Sequence, residues 1–296
     1  MVIGSTLATL KGFPFEVRYS EGSLERARVM SRITAEAYGY FAELFALEPD
    51  LAVIVANETD WESRQPYGLP YFNDDADQIR PGIVVMPAGT GVFWVDMVQD
   101  LHETAPGAYE RLRVTYPNGD GGVDLQPFFD LIAVHELGHA FEASGDLRLP
   151  TFWLGEIFAN LCLHAFVATR RPQSLNTLEV LSVVGARSEG LDARMSHEGF
   201  TTLEELETHY TGGQDPMSPR NYVWYQYRWQ RLAAAMFDAD GEDGLVRFWE
   251  YFVHTQREDD AVTPLTLPTL LSLHVSATLG HAVREWPTIL ASSQER

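Results

Sequence analysis

The chain reads as an α+β protein, with a small N-terminal mixed sheet and one long helix followed by a mostly helical C-terminal lobe. Three observations predict this. Short β-branched runs are confined to the first hundred residues, apolar residues at helical spacing dominate after about residue 125, and no repeat or Pro/Gly/Ser linker divides the chain. The expected division is an α/β lobe over 1–125 and a helical lobe over 126–296. With 296 residues, 45% of them hydrophobic, the chain can bury a sizeable core.

Phe15-Glu16-Val17-Arg18-Tyr19 alternates like a strand, and Ser23 to Leu47 carries Leu24, Val29, Ile33, Ala37, Tyr40 and Leu44 at helical period. Leu51 to Val55 and Gly82 to Pro87 are compact β-branched runs of strand length. Gly91 to Leu101 fits a strand or a helix equally. Pro127 suits a first helical position and Gly145 an end, which frames a helix of some seventeen residues between them. Further helices are expected over Leu154 to Arg170, Leu175 to Arg187, Asn221 to Phe237, Glu242 to Thr255 and Ser276 to Trp286.

Composition excludes several classes. Twenty-one Lys+Arg against 42 Asp+Glu gives a net charge of −21, which repels phosphate backbones and anionic membranes, so no nucleic-acid partner is expected. No run reads as the roughly 18 apolar residues of a membrane span. The single cysteine, Cys162, rules out an intramolecular disulfide framework and a cysteine-built zinc cage. The start, Met1 to Leu7, has neither a basic stretch nor an apolar core, so the expectation is a cytoplasmic protein, or a secreted one if a signal has been removed.

Within the Pro127 helix stands His135-Glu136-Leu137-Gly138-His139. Two histidines four apart share one helix face, so both imidazoles can reach one Zn²⁺, and the intervening glutamate then lies near an open coordination position. Chance would supply this pattern about 0.02 times in a chain of this length. The alternative is three exposed helix polars. The apolar flanks Leu131, Ile132, Val134, Ala140 and Phe141 argue against it, because burying three ionisable groups without compensation is costly.

A catalytic zinc needs a third protein ligand. The metzincin continuation fails, since Glu142 and Gly145 occupy the positions of its glycine and third histidine. The other source is a glutamate on the next helix, and Trp153-Leu154-Gly155-Glu156-Ile157-Phe158-Ala159-Asn160 supplies Glu156. The alternative for Glu156 is a carboxylate favoured by a helix N-terminus.

His135-Glu136-x-x-His139 followed by Trp153-Leu154-x-Glu156-x-x-Ala159 resembles the active-site helix pair of the gluzincin metallopeptidases, the group of thermolysin and the zinc aminopeptidases. The resemblance implies a zincin-like fold with the active-site helix between the two lobes. It implies Zn²⁺ held by His135, His139 and Glu156, with Glu136 as general base. Asn160 then falls where thermolysin-like members carry an aspartate that orients a zinc histidine, and the neutral amide gives that histidine less electrostatic support. A later tyrosine would stabilise the oxyanion: the Arg220 to Trp229 segment offers Tyr225, favoured by spacing, and Tyr222, while Tyr227 turns away. In the same resemblance, Gly82 to Pro87 would be the edge strand that aligns substrate. The Gly-x-Met-Glu-Asn element of zinc aminopeptidases is absent upstream of His135, which disfavours that exopeptidase activity.

Other candidates read as structural. His164 shares the Glu156 and Asn160 face but lies two turns on, as a core or second-site histidine. Glu142, three residues after His139, reads as a solvated carboxylate, with the alternative that it supports the histidine. The acidic loops Asn118 to Asp124 and Asp238 to Asp243 lack the calcium-binding pattern and read as turns. The expectation is therefore a zinc-dependent peptidase acting on peptide or protein substrates. Its rivals are a zincin-like binding or scaffold protein and a zinc hydrolase of a small amide.

Overall fold

The structure is a computed structural model that describes residues 7–61, 65–73, 82–187, 200–212, 217–254, 263 and 265–286. The chain is mixed α and β and forms two compact units, Met1–Gly145 and Asp146–Arg296.

The first unit holds a five-stranded mixed sheet: β1 (Ala8–Leu10), β2 (Glu16–Tyr19), β3 (Ala52–Ala56), β4 (Tyr71–Asn73) and β5 (Ile83–Pro87), in spatial order β1-β2-β3-β5-β4. β2, β3 and β5 run parallel, and the two outer strands are antiparallel to their neighbours. β3 and β5 are buried throughout. Val53, Val55, Val84 and Met86 point to one face, while Ile54, Ala56, Ile83 and Val85 form a cluster on the other with Leu7, Trp61 and Tyr71 against it. Strands covered on both faces carry continuous apolar runs rather than alternation.

This corrects the edge-strand expectation. Gly82 to Pro87 lies inside the sheet, with Ile83 to Pro87 paired to β3 on one side and Ile83 to Val85 paired to β4 on the other. The edge on this side is β4, three residues long and antiparallel to β5. Pro81, at the start of the expected edge, lies outside the described residues.

Among the described residues, four helices complete the first unit. They are α1 (Leu24–Phe45), α2 (Val92–Thr104), α3 (Pro106–Thr115) and α4 (Gln126–Ser144). Gly91 to Leu101 thus resolves as helix, opened by Gly91 in extended conformation. α4 packs against α1, β4 and β5, and it is buried almost all round, as its unbroken apolar flanks require. Its C-terminal end is fixed by Phe141, whose ring lies 5.8, 5.6 and 5.7 Å from those of Tyr38, Phe41 and Phe45 on α1. Nearer its start, the buried Asp130 carboxylate pairs with both terminal nitrogens of Arg26. Gly145 keeps a right-handed helical backbone, and the turn out of the helix falls to Asp146 at φ 50°.

The second unit has no strand among its described residues. It contains α5 (Phe152–Arg170), a short 3₁₀ turn at Pro172–Ser174, α6 (Leu175–Arg187), α7 (Leu203–Gly212), α8 (Pro219–His254), α9 (Leu267–His274) and α10 (Ala277–Arg284). α5 is its centre and packs chiefly on α8. Contrary to the sequence expectation, α5 is long and apolar enough to cross a membrane by length and composition. Burial of 83% of that window accounts for the apolarity as that of a core helix.

α8 spans the two helices expected over Asn221 to Phe237 and Glu242 to Thr255, broken at Gly241, whose φ 61°, ψ −153° is accessible only to glycine. Thr255 lies outside the described residues. Asp240, just before the break, accepts from Ser276 Oγ at 2.6 Å and pairs with Arg247 at 2.9 Å, so this acidic loop has turned into a packed corner. The other acidic loop is a turn closed by Asn118, whose Oδ1 accepts from the backbone of Asp120 and Gly122.

Candidate metal centre

His135 and His139 stand one turn apart on α4, their ring centroids 4.9 Å apart and nearly perpendicular. His135 and Glu136 are buried, and His139 keeps 16% of its side chain exposed. His139 Nδ1 lies 3.0 Å from Glu142 Oε2. A carboxylate only accepts, so Nδ1 carries a proton, and in the neutral imidazole Nε2 then keeps the lone pair through which the ring can bind a metal. Glu142 is therefore not simply solvated. It sets the tautomer and orientation of His139.

Glu156 is 3% exposed, one turn into α5. The start of this helix is fixed by Glu207 on α7, whose carboxylate oxygens accept from the Phe152 backbone N–H at 3.1 and 3.0 Å. Gln226 on α8 donates through Nε2 to Glu156 Oε2 at 2.6 Å and to the Tyr222 hydroxyl at 2.8 Å. Asn160 donates through Nδ2 to the Glu156 carbonyl at 2.8 Å and to Gln226 Oε1 at 2.9 Å. Asn160 thus reaches the carboxylate through Gln226, whereas the family resemblance implied that it orients a histidine.

His135, His139 and Glu156 each offer one ligand atom, and these atoms all lie within 4.8 Å of one another. Two imidazole nitrogens and a carboxylate oxygen are a donor set that can hold a divalent transition metal.

The two tyrosines separate. Tyr225 is fully buried, its hydroxyl donates to the Thr202 carbonyl at 2.8 Å, and its ring stacks on Trp286. Burial, with help from Glu205, drives its pKa far above the ordinary phenol value. Its proton is committed inside the second unit, against the expectation that favoured it as oxyanion donor. Tyr222 is half-buried, stacked on Tyr210, and joined to Glu156 through Gln226. Its oxygen accepts from Gln226.

His164 lies in the core of the second unit, against the Phe237 ring, 3.4 Å from Gln230 and 3.9 Å from Glu179. Burial lowers its pKa, so it is a neutral core histidine. Gln226 was missed by sequence reasoning. The available signal was its place four residues after Tyr222, on the same helix face. Compared with protein-family models, curated proteins and solved structures, the chain matches none.

Proposed function

We propose that this chain is a zinc-dependent hydrolase of gluzincin type that cleaves peptide bonds. The observation that carries the reading is the convergence of the ligand atoms of His135, His139 and Glu156, with Glu136 between the two histidines on the same buried helix. The donor set suits Zn²⁺: Glu142 engages Nδ1 of His139 and so leaves Nε2 as its ligand atom, and nitrogen with carboxylate oxygen is the ligand chemistry of catalytic rather than structural zinc. Three ligands leave a fourth position for water or substrate.

When bound, Zn²⁺ supplies Lewis acidity, which polarises a carbonyl and makes water acidic enough to attack near neutral pH. The remaining work belongs to the chain. Glu136 takes the proton of the attacking water and delivers it to the leaving amine. Tyr222 donates its hydroxyl proton as a hydrogen bond to the oxyanion that develops on the scissile carbonyl. β4, the edge strand packed on α4, is the strand beside which an extended peptide would lie.

The test uses purified protein and a peptide library. Wild type is expected to carry one zinc per chain and to lose cleavage on chelation, and Glu136→Gln is expected to keep the zinc and lose turnover. Full activity in that variant overturns the mechanism. Stoichiometric zinc without cleavage of any peptide or small amide overturns the hydrolase in favour of a binding protein.

A further inference from the structure

Gln226 sits at the crossing of the second unit's polar contacts, and its amide has no orientational choice. Asn160 Nδ2 lies 2.8 Å from the Glu156 main-chain carbonyl, which can only accept, so the Asn160 group that faces Gln226 is also a donor. Gln226 must therefore turn its oxygen toward Asn160, at 2.9 Å. That points its nitrogen at the Glu156 carboxylate, another group that only accepts, at 2.6 Å. The two N–H bonds of Nε2 are both spent, one on Glu156 Oε2 and one on the Tyr222 oxygen. Fixed acceptors at both ends settle the whole chain Glu156 carbonyl, Asn160, Gln226, Glu156 carboxylate.

A glutamate can bind a metal through one oxygen or two. Two-oxygen ligation would fill the position that water must occupy in a hydrolytic zinc site. We propose that Gln226 is the positioning residue that holds Glu156 to one-oxygen ligation, engaging Oε2, and that the same amide aims the Tyr222 hydroxyl. This inference rests on the metal reading of His135, His139 and Glu156. It gives Asn160 a defined role as the residue that sets which way the Gln226 amide faces. It also explains how an amide can stand where thermolysin-like members have an aspartate: here the partner to be oriented is a glutamine.

Two variants of the full chain test it. Gln226→Met keeps the length of the side chain and removes both donors. Asn160→Asp leaves Gln226 in place but puts an acceptor before it, so the glutamine lies between two carboxylates and its donor end can serve only one of them, which removes the preference that held it on Glu156. Zinc affinity is measured by competition with a chelator, and coordination by the visible absorption of the Co²⁺-loaded protein. Each variant should bind zinc about 10- to 100-fold more weakly, and Co²⁺ absorption should weaken as a second carboxylate oxygen raises the coordination number. The two changes should not add in the double variant, since they break one chain of contacts. Should Gln226→Met fail to fold, Asn160→Asp carries the test. Zinc affinity within twofold of wild type with an unchanged Co²⁺ spectrum overturns the inference alone. Failure of wild type to bind zinc overturns the metal reading and the inference with it.

Discussion

Replacing Glu142 with alanine removes the acceptor that fixes the His139 ring. The contact is 3.0 Å, and the two side chains retain only 16% and 23% of their exposure, so water replaces it poorly. A hydrogen bond to a charged group contributes about 1.5–3 kcal/mol. Carboxylate partners of metal-binding histidines alter affinity about 10- to 100-fold, equivalent to roughly 1.4–2.7 kcal/mol. The two ranges agree, and Glu142→Ala should weaken zinc binding by about 30-fold, their midpoint. Glu142→Gln keeps an acceptor for Nδ1 but loses the charge, and should cost about three- to tenfold. If His139 bound no metal, the pair would be an ordinary helix contact three residues apart. It would then contribute about 0.2–0.5 kcal/mol to stability and nothing to zinc affinity. Chelator competition on wild type and both variants, with thermal unfolding of the metal-free forms, separates the two cases. Zinc affinity of Glu142→Ala within twofold of wild type refutes the role given to Glu142 and its part in the donor argument.

Two further predictions concern the second unit. A Cβ on Gly280 would stand 1.9 Å from Ser272 Oγ, 2.4 Å from the Pro268 carbonyl and 2.6 Å from the Ser272 nitrogen. Gly280→Ala gains about 1 kcal/mol of helix propensity but overpacks against backbone that cannot rotate away, at about 3 kcal/mol. Urea denaturation should show a net loss of about 2 kcal/mol, and a stabilised variant would contradict the close packing of α9 on α10. His164 is held below its ordinary pKa by burial, partly opposed by Asp238. Below about pH 6.5 the unfolded chain takes up a proton that the folded chain refuses, so stability falls as pH falls toward the lowered value. The slope from this group is at most about 1.4 kcal/mol per pH unit. His164→Gln should flatten stability between pH 7.5 and 5.5 relative to wild type, and equal slopes in the two proteins would remove His164 from the acid response.

The metal-binding pattern was legible because it is local. His135, Glu136 and His139 need only helical period to share a face, and the frame of Pro127 and Gly145 matches α4 to within a residue at each end. Glu156 was found by its spacing along the chain. What escaped depends on neighbours distant in sequence. A β-branched run of strand length marked Gly82 to Pro87 as a strand but does not say what pairs with it, although its unbroken apolar character was the mark of an interior strand. β4 has three half-buried residues and no alternation long enough to read. What sets Tyr225 apart from Tyr222 is a hydroxyl bonded to Thr202, a contact 23 residues away that no periodicity encodes. Gln226 belongs to no motif, because an amide that steers a carboxylate is defined only by what lies on either side of it.

The clamping of α4 at both ends has a consequence for how a metal would come and go. Phe141 wedged among Tyr38, Phe41 and Phe45, and Asp130 gripped by Arg26, hold the helix by contacts that involve neither histidine. The imidazoles are thus mounted on a rail that exists before any ion arrives, and loading costs little ordering of the backbone. An ion on such a rail would be a passenger rather than a keystone, because the contacts that hold α4 in the first unit do not pass through it.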